Sequence, residues 1–247
     1  MTFLSVNVNK IATLRNARGT DKPNLLNVTQ DIVTFGAKGI TVHPRPDERH
    51  ITQQDAYELA SWLQKNSPTV EYNMEGYPDE RFLKMVYEIR PHQCTLVPDP
   101  PEVITSNAGW NVVNTKQQLI TVCEQLKAWK VRSSIFVNPY DVNLNFLEAL
   151  QEIQPDRVEL YTEMYAKAFS TQNQKKVTEV YKNAAQKILE LGVELNAGHD
   201  LDQQNLKDLI ENIPQLKEVS IGHALICEAL YEGLEATIKN YLRILCR

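Results

Sequence analysis

No apolar run in this chain approaches the roughly 20 residues needed to cross a bilayer, so a membrane span is not expected. The N-terminus, Met1-Thr2-Phe3-Leu4-Ser5-Val6-Asn7, lacks the charged and hydrophobic regions of a secretory signal and reads as a first strand. Cysteine is sparse. Cys94, Cys123, Cys227 and Cys246 are scattered without a C-x-x-C pair, which points to buried free thiols in a reducing cytoplasm. Nothing near Cys94 argues for a thiol nucleophile. The glycine-rich G-x-G-x-x-G turn of a dinucleotide-binding sheet is missing after the first strand. Also missing is the close His-x-His pair that zinc barrels bring at the first strand, where this chain reads Val6-Asn7-Val8-Asn9. His43, His50 and Glu75 are competent metal ligands, but no spacing demands a metal. With a net charge of −5 there is no broad cationic face for nucleic acid, although a local phosphate pocket stays open.

What is present is an alternation of strand and helix patterns from end to end. The predicted strands are Phe3 to Val8, Lys38 to His43, Thr69 to Glu75, His92 to Val97, Val131 to Val137, Arg157 to Tyr161, Val193 to Asn196 and Glu218 to Ile221. A loop from Asn9 to Asn24 and a helix near Leu25 to Phe35 follow the first strand. Helices over Thr52 to Gln64, Asp79 to Ile89, Lys116 to Trp129, Val142 to Ile153, Gln174 to Leu191 and Asn205 to Asn212 follow the next strands. His223 to Tyr231 and Leu234 to Leu245 close the chain, separated at Gly233. Eight β-then-α units in 247 residues favour a closed (β/α)₈ barrel, with an open doubly wound sheet as the second choice. No repeat, linker or low-complexity tract divides them, so one barrel domain over 1–247 is expected.

The stretch Ile40-Thr41-Val42-His43-Pro44-Arg45-Pro46-Asp47-Glu48-Arg49-His50 concentrates the chemistry. A β-branched strand stops at two prolines, which fix a loop carrying two histidines and two arginines at low entropic cost. Imidazoles beside guanidiniums suit acid–base work on an anion, most simply a phosphate. Similar polar endings recur: Asn7 and Asn9, Thr41 and His43, Asn73 and Glu75, Glu159 and Tyr161 stand two apart and should share a face. The seventh strand continues Asn196-Ala197-Gly198-His199, and the eighth Ser220-Ile221-Gly222-His223. Polar groups buried without partners cost a few kcal/mol each, on the order of 2–7. Packing alone therefore explains their recurrence poorly, and barrel sites lie at this end of the strands. His92 opens its strand at the opposite end and reads as structural. Gly222-His223 opens the short helix that commonly holds phosphate in such barrels, although a plain capping turn also fits Gly222.

Together, Ile11-Ala12-Thr13-Leu14-Arg15-Asn16-Ala17-Arg18-Gly19, the loop Gly39 to Ile51, Leu96-Val97-Pro98, Asn196-Ala197-Gly198-His199 and Ile221-Gly222-His223-Ala224 resemble the pyridoxine 5′-phosphate synthase family. The resemblance runs from the first strand to the last helix. It implies a barrel with added short helices, an octamer of paired subunits in the cytoplasm, and no metal or organic cofactor. The implied transferase reaction condenses 1-deoxy-D-xylulose 5-phosphate with 3-amino-2-oxopropyl phosphate to give pyridoxine 5′-phosphate, phosphate and water. Carried over by position, His43 and Glu75 match the proton acceptors and His199 the proton donor. Asn7, Arg18, Arg45, His50, Gly222 and His223 match substrate or phosphate contacts, and Glu159 a further acid of the pocket. Asn9-Lys10 stands where the family has Asp-His, Tyr161-Thr162-Glu163 where it has His-Thr-Gly, and Asp200 where a Gly follows the catalytic histidine. A substrate-contacting threonine falls at Thr105. Two rival classes stay open: another sugar-phosphate barrel enzyme, such as a Schiff-base aldolase using Lys10, and a phosphate-ligand binder without turnover.

Overall fold

The computed structural model describes residues 2–98 and 108–246. Each strand pairs in parallel with the next, and the eighth returns to the first, so the sheet closes. The strands are β1 (Phe3–Asn7), β2 (Gly39–Val42), β3 (Glu71–Gly76), β4 (Gln93–Leu96), β5 (Arg132–Val137), β6 (Arg157–Tyr161), β7 (Glu194–His199) and β8 (Glu218–Ile221). Around them lie α1 (Asn9–Asn16), α2 (Leu25–Thr34), α3 (Gln53–Asn66), α4 (Glu80–Ile89), α5 (Lys116–Ala128) and α6 (Leu144–Ile153). The remaining helices are α7 (Glu163–Ala168), α8 (Gln174–Glu190), α9 (Leu206–Asn212), α10 (His223–Glu232) and α11 (Leu234–Leu245). This is the expected (β/α)₈ barrel, and its closure rules out the open sheet. Among the described residues no helix is long and apolar enough to cross a membrane.

The register explains what fills the barrel. Ser5 pairs with Gly39, Gly39 with Glu71, Asn73 with Gln93, Gln93 with Arg132, Ser134 with Arg157 and Arg157 with Glu194. Asn196 then pairs with Glu218, and Ser220 returns to Ser5. Side chains alternate across a strand, so this set shares one face. A hydrogen bond from Gln93 on β4 to Glu218 on β8, across the ring, puts that face inside. The alternate residues, among them Leu4, Val6, Ile40, Leu160 and Ile221, are fully buried against the helices. Each such side chain contributes about 1.5–3 kcal/mol by leaving water. Truncating Leu160 to alanine should cost about 2–5 kcal/mol. The parallel sheet therefore carries an apolar outside and a polar lumen, which is why its strands alternate instead of reading as continuous apolar runs.

Helix starts follow local chemistry. Asn24, Asp79 and Asn143 accept from the backbone three residues on, and Thr52 with Asp55 forms a reciprocal capping box before α3. Three features depart from the sequence reading. The stretch after β1 expected as loop begins with α1, which has Val8 at its N-cap with no side-chain cap and buries only Ile11 and Ala12. β7 runs on to His199 instead of stopping at Asn196, because pairing with β6 and β8 on both sides overrides the weak strand preference of Asn-Ala-Gly. α7 went unread because it is only six residues long and has no side-chain cap. The thiols divide: Cys94 and Cys123 are buried as expected, but Cys227 and Cys246 are exposed. Burial pushes the Cys94 thiol far above the reactive range, which removes it as a nucleophile.

Candidate active site

The turn after β2 is built by restraint from both sides. Pro44 and Pro46 donate nothing, the Arg45 N–H closes back on the His43 carbonyl at 2.9 Å, and Asn9 Oδ1 accepts from the His43 N–H at 3.0 Å. His50 Nδ1 accepts from the Ile51 N–H at 2.9 Å, so the neutral ring carries its proton on Nε2. The His50 carbonyl is held by Asn16 Nδ2 at 2.8 Å. Arg15 meets Asp55 with two bonds of 2.6 and 2.7 Å, tying α1 to the start of α3 beneath this loop. Burial first, then the charge of Arg45, pushes His43 well below its ordinary range. His50 is pushed down to about 4 by burial, then by Arg45 and Lys10. Both rings are thus neutral at physiological pH, with centroids 6.2 Å apart.

The barrel mouth supplies the acids. Asn7, the last residue of β1, donates Nδ2 to Glu75 Oε2 at 3.3 Å. Glu159 is 3 % exposed, and its Oε2 is enclosed without a hydrogen-bond partner among the described residues. Burial, then the charges of Glu75 and Glu218, pushes Glu159 well above the usual carboxylate range, so its protonated form is favoured. Its Oε1 occupies the space a Cβ on Gly198 would need, 2.3 Å from that position. His199 holds a backbone φ of +99°, a conformation costing about 1–3 kcal/mol for a residue with a side chain. Thr162 stabilises it, donating Oγ1 to the Gly198 carbonyl at 2.7 Å and accepting from the Asp200 N–H at 3.2 Å. The His199 ring stands edge-on to Tyr161 at 5.3 Å, and its Nδ1 meets Asp200 Oδ2 at 2.7 Å.

The sequence of these strand ends matches the family model for the pyridoxal phosphate biosynthesis protein PdxJ over residues 4–247. The chain belongs to the PdxJ family. It is 52% identical over 241 residues to a pyridoxine 5′-phosphate synthase of Porphyromonas gingivalis, covering 98% of each chain. A synthase of the same name from Cytophaga hutchinsonii is 51% identical over 243 residues, again with 98% of each covered. Among solved structures, phosphoribosyl anthranilate isomerase from Thermotoga maritima aligns with a TM-score of 0.63 at 15% identity, covering 100% of this chain and 99% of that one. The tryptophan synthase α-subunit from Pyrococcus furiosus aligns with 0.65 at 12% identity, covering 99% and 97%. At that distance these two share the barrel and nothing more.

This PdxJ chain brings most of the expected residues to one end. His43, His199, Gly222 and His223 stand at or just past the C-terminal ends of strands, Glu75 one residue before the end of β3, and Glu159 in the middle of β6. Some assignments change. Asn9 opens α1 instead of extending β1, so it does not share a face with Asn7; its side chain caps the His43 N–H. Lys10 lies in the first turn of α1, not at an inward strand position, and a Schiff-base lysine on a strand is therefore lost. Asp200 does more than replace a glycine: its N–H is engaged by Thr162 and its carboxylate by His199. Gly222, at φ −126°, is not a left-handed position; an added Cβ would sit 3.0 Å from Asn7 Cβ, so a side chain there would be tight against β1. His223 is exposed at the start of α10, 3.7 Å from Cys227 Sγ. Arg18 lies exposed beyond α1. Thr105 falls outside the described residues. His92 accepts from the Tyr72 N–H at the far end of the barrel, in keeping with a structural role.

A narrow cleft of about 10 Å³ opens beside the mouth, between the β2–α3 and β3–α4 connections, lined by His43, Arg45, Tyr77, Asp79 and Arg81. Sequence reasoning passed over Arg81 and the Arg15–Asp55 clamp. The Thr52-x-x-Asp55 capping pattern marked the place of Asp55, but its arginine partner comes from another helix.

Proposed function

We propose that this chain catalyses the ring-closing condensation of 1-deoxy-D-xylulose 5-phosphate with 3-amino-2-oxopropyl phosphate, releasing pyridoxine 5′-phosphate, phosphate and water. The observation that carries this reading is identity at half of all positions, across 98% of the chain, to enzymes named for that product. Condensing an amine with a ketone, losing phosphate and closing a C–C bond each move a proton, so bases and an acid must flank the reacting atoms. His43 and Glu75 take protons and His199 returns one. The buried His43 ring suits this work because it is neutral where an exposed histidine would begin to charge. Glu159, protonated, offers a hydrogen bond to oxygen that gains charge during the reaction.

Two phosphorylated substrates need two anion sites. Arg45 and His50 receive one phosphate. Gly222 and His223 receive the other, where the free N–H groups of α10 point outward. Asn7, Asn9, Lys10, Arg18, Thr105 and Asp200 complete the substrate contacts. The enzyme works as one barrel domain, by acid–base chemistry without metal or organic cofactor, in a cytoplasmic octamer of paired subunits. The test is incubation of the pure protein with both phosphates at saturation, read by the fluorescence of pyridoxine 5′-phosphate. Absence of product would sink the reading. Arg45→Ala and His223→Ala should then raise KM for different substrates; if both weaken the same one, a single-substrate barrel enzyme is the better account.

A further inference from the structure

Arg81 stands in the first turn of α4, where a cation works against the helix dipole. Solubility or helix propensity does not explain its placement, because its side chain turns inward to line the cleft beside His43 and Arg45. Nη2 donates to the Pro44 carbonyl at 2.8 Å, and Nη1 lies 3.3 Å from Met85 Sδ. Nε is buried without an acceptor among the described residues, and no carboxylate there forms an ion pair with this guanidinium. An arginine held by a proline carbonyl and a thioether, next to a second arginine and an imidazole, adds positive charge to the cleft.

We propose that Arg81 is a positioning residue for the β2 turn: by holding the Pro44 carbonyl it fixes His43 on one side and Arg45 on the other, at the place where one substrate phosphate binds. This rests on the synthase reading for the identity of that phosphate, but the clamp itself does not. Pro44 has no N–H, and its carbonyl is tied by Arg81 to the neighbouring α4, which adds a fixed point outside the turn's own bonds. The same charge acts through space on His43. The charged and titratable groups that act on that ring are Arg45, Arg49 and His50 on its own loop and Arg81 at α4; Asp79 lines the same cleft, and Lys10 and Asp47 act on the neighbouring His50. Arg81 adds to the cationic side of this set and favours the neutral imidazole.

The experiment compares wild type with Arg81→Lys and Arg81→Gln, each checked for folding by circular dichroism. His43 is titrated in the free protein by NMR of labelled histidine, and KM for each phosphorylated substrate is measured across pH. Arg81→Gln should raise the His43 pKa and move the acid limb of kcat/KM to higher pH. It should also raise KM about tenfold for the substrate that Arg45→Ala weakens, leaving the other nearly unchanged. Arg81→Lys keeps the charge and should leave the titration at its wild-type position. The proposal is overturned if Arg81→Gln leaves both His43 and the two KM values unchanged, or if the lysine variant shifts His43 as far as the glutamine variant does. The NMR arm needs no turnover. A wild type that makes no product, yet shows the His43 shift on losing Arg81, would refute the synthase reading and leave the clamp standing.

Discussion

The two ends of the barrel lumen are both buried and both polar, yet they are built on opposite plans. At the N-terminal end, Glu218 Oε2 accepts from Asn196 at 2.9 Å, Gln93 at 3.1 Å and Arg157 at 3.2 Å. Gln93 Oε1 accepts in turn from Arg132 and Arg157, each at 3.0 Å, while Arg132 pairs with Glu71 and Arg157 with Glu194. Charge is answered by charge, while Asn196 Oδ1 stays without a partner among the described residues. Above this layer a chain of bonds links Thr95, Asn73, Thr41 and Ser5. There the plan changes: Glu159 keeps an oxygen without a partner, two histidines are held neutral among cations, and His199 bears a positive φ. A polar lumen is therefore not in itself a site. Unpaired buried oxygens occur on Asn196 and Ser134 in the lumen as well, so the mark of the mouth is the gathering of neutral imidazoles and a protonated carboxyl among cations.

The largest expected effect is at Glu75. Glu75→Gln keeps the shape and removes the base, so kcat should fall by about 10²–10⁴-fold with little change in thermal stability. An unchanged kcat would make Glu75 part of the scaffold, like its counterparts at the other end. The second effect should be the mirror image. Arg157→Met leaves Glu218 buried without its cation, which should cost about 3–5 kcal/mol in denaturant unfolding while turnover per folded molecule stays near wild type. Loss of turnover in a fully stable variant would erase the distinction between the ends.

Glu159 sharpens the comparison through pH. Its folded pKa is raised above the unfolded value of about 4.3. Below that value both forms of the chain hold the proton, and Glu159→Gln should match the wild type in stability. As pH rises through the folded pKa the wild type must either keep a proton the unfolded chain has lost or bury a charge, so it should fall progressively behind the variant. Parallel stability curves across pH would show that Glu159 is solvated or paired. The smallest effect belongs to Gly222→Ala. Its Cβ would crowd Asn7, which donates to Glu75, so kcat should drop by a few fold, roughly the scale of one distorted hydrogen bond. A change confined to KM would instead assign Gly222 to phosphate binding alone.

The barrel was legible because β-branched runs ended by proline or glycine repeat through the chain, and because Thr41, Asn73, Glu159 and Asn196 interrupt the apolar strands in a single phase. Histidines at strand ends marked the mouth for the same reason. What stayed hidden depends on contacts between distant segments. The paired network at the far end looks, residue by residue, as polar as the site; its ion pairs between distant strands distinguish it. Arg81 reads as an ordinary helix-start cation until its bond to Pro44 is seen. Gly222 suggested a ligand, whereas a side chain there would be tight against Asn7.

The most direct test measures single-turnover formation of pyridoxine 5′-phosphate per folded molecule in Glu75→Gln and Arg157→Met, side by side with the wild type. The expected result is a stable Glu75→Gln protein that makes almost no product, and a destabilised Arg157→Met protein whose folded fraction turns over normally. Normal product from Glu75→Gln, with loss from folded Arg157→Met, would contradict the assignment of chemistry to the mouth and structure to the opposite end.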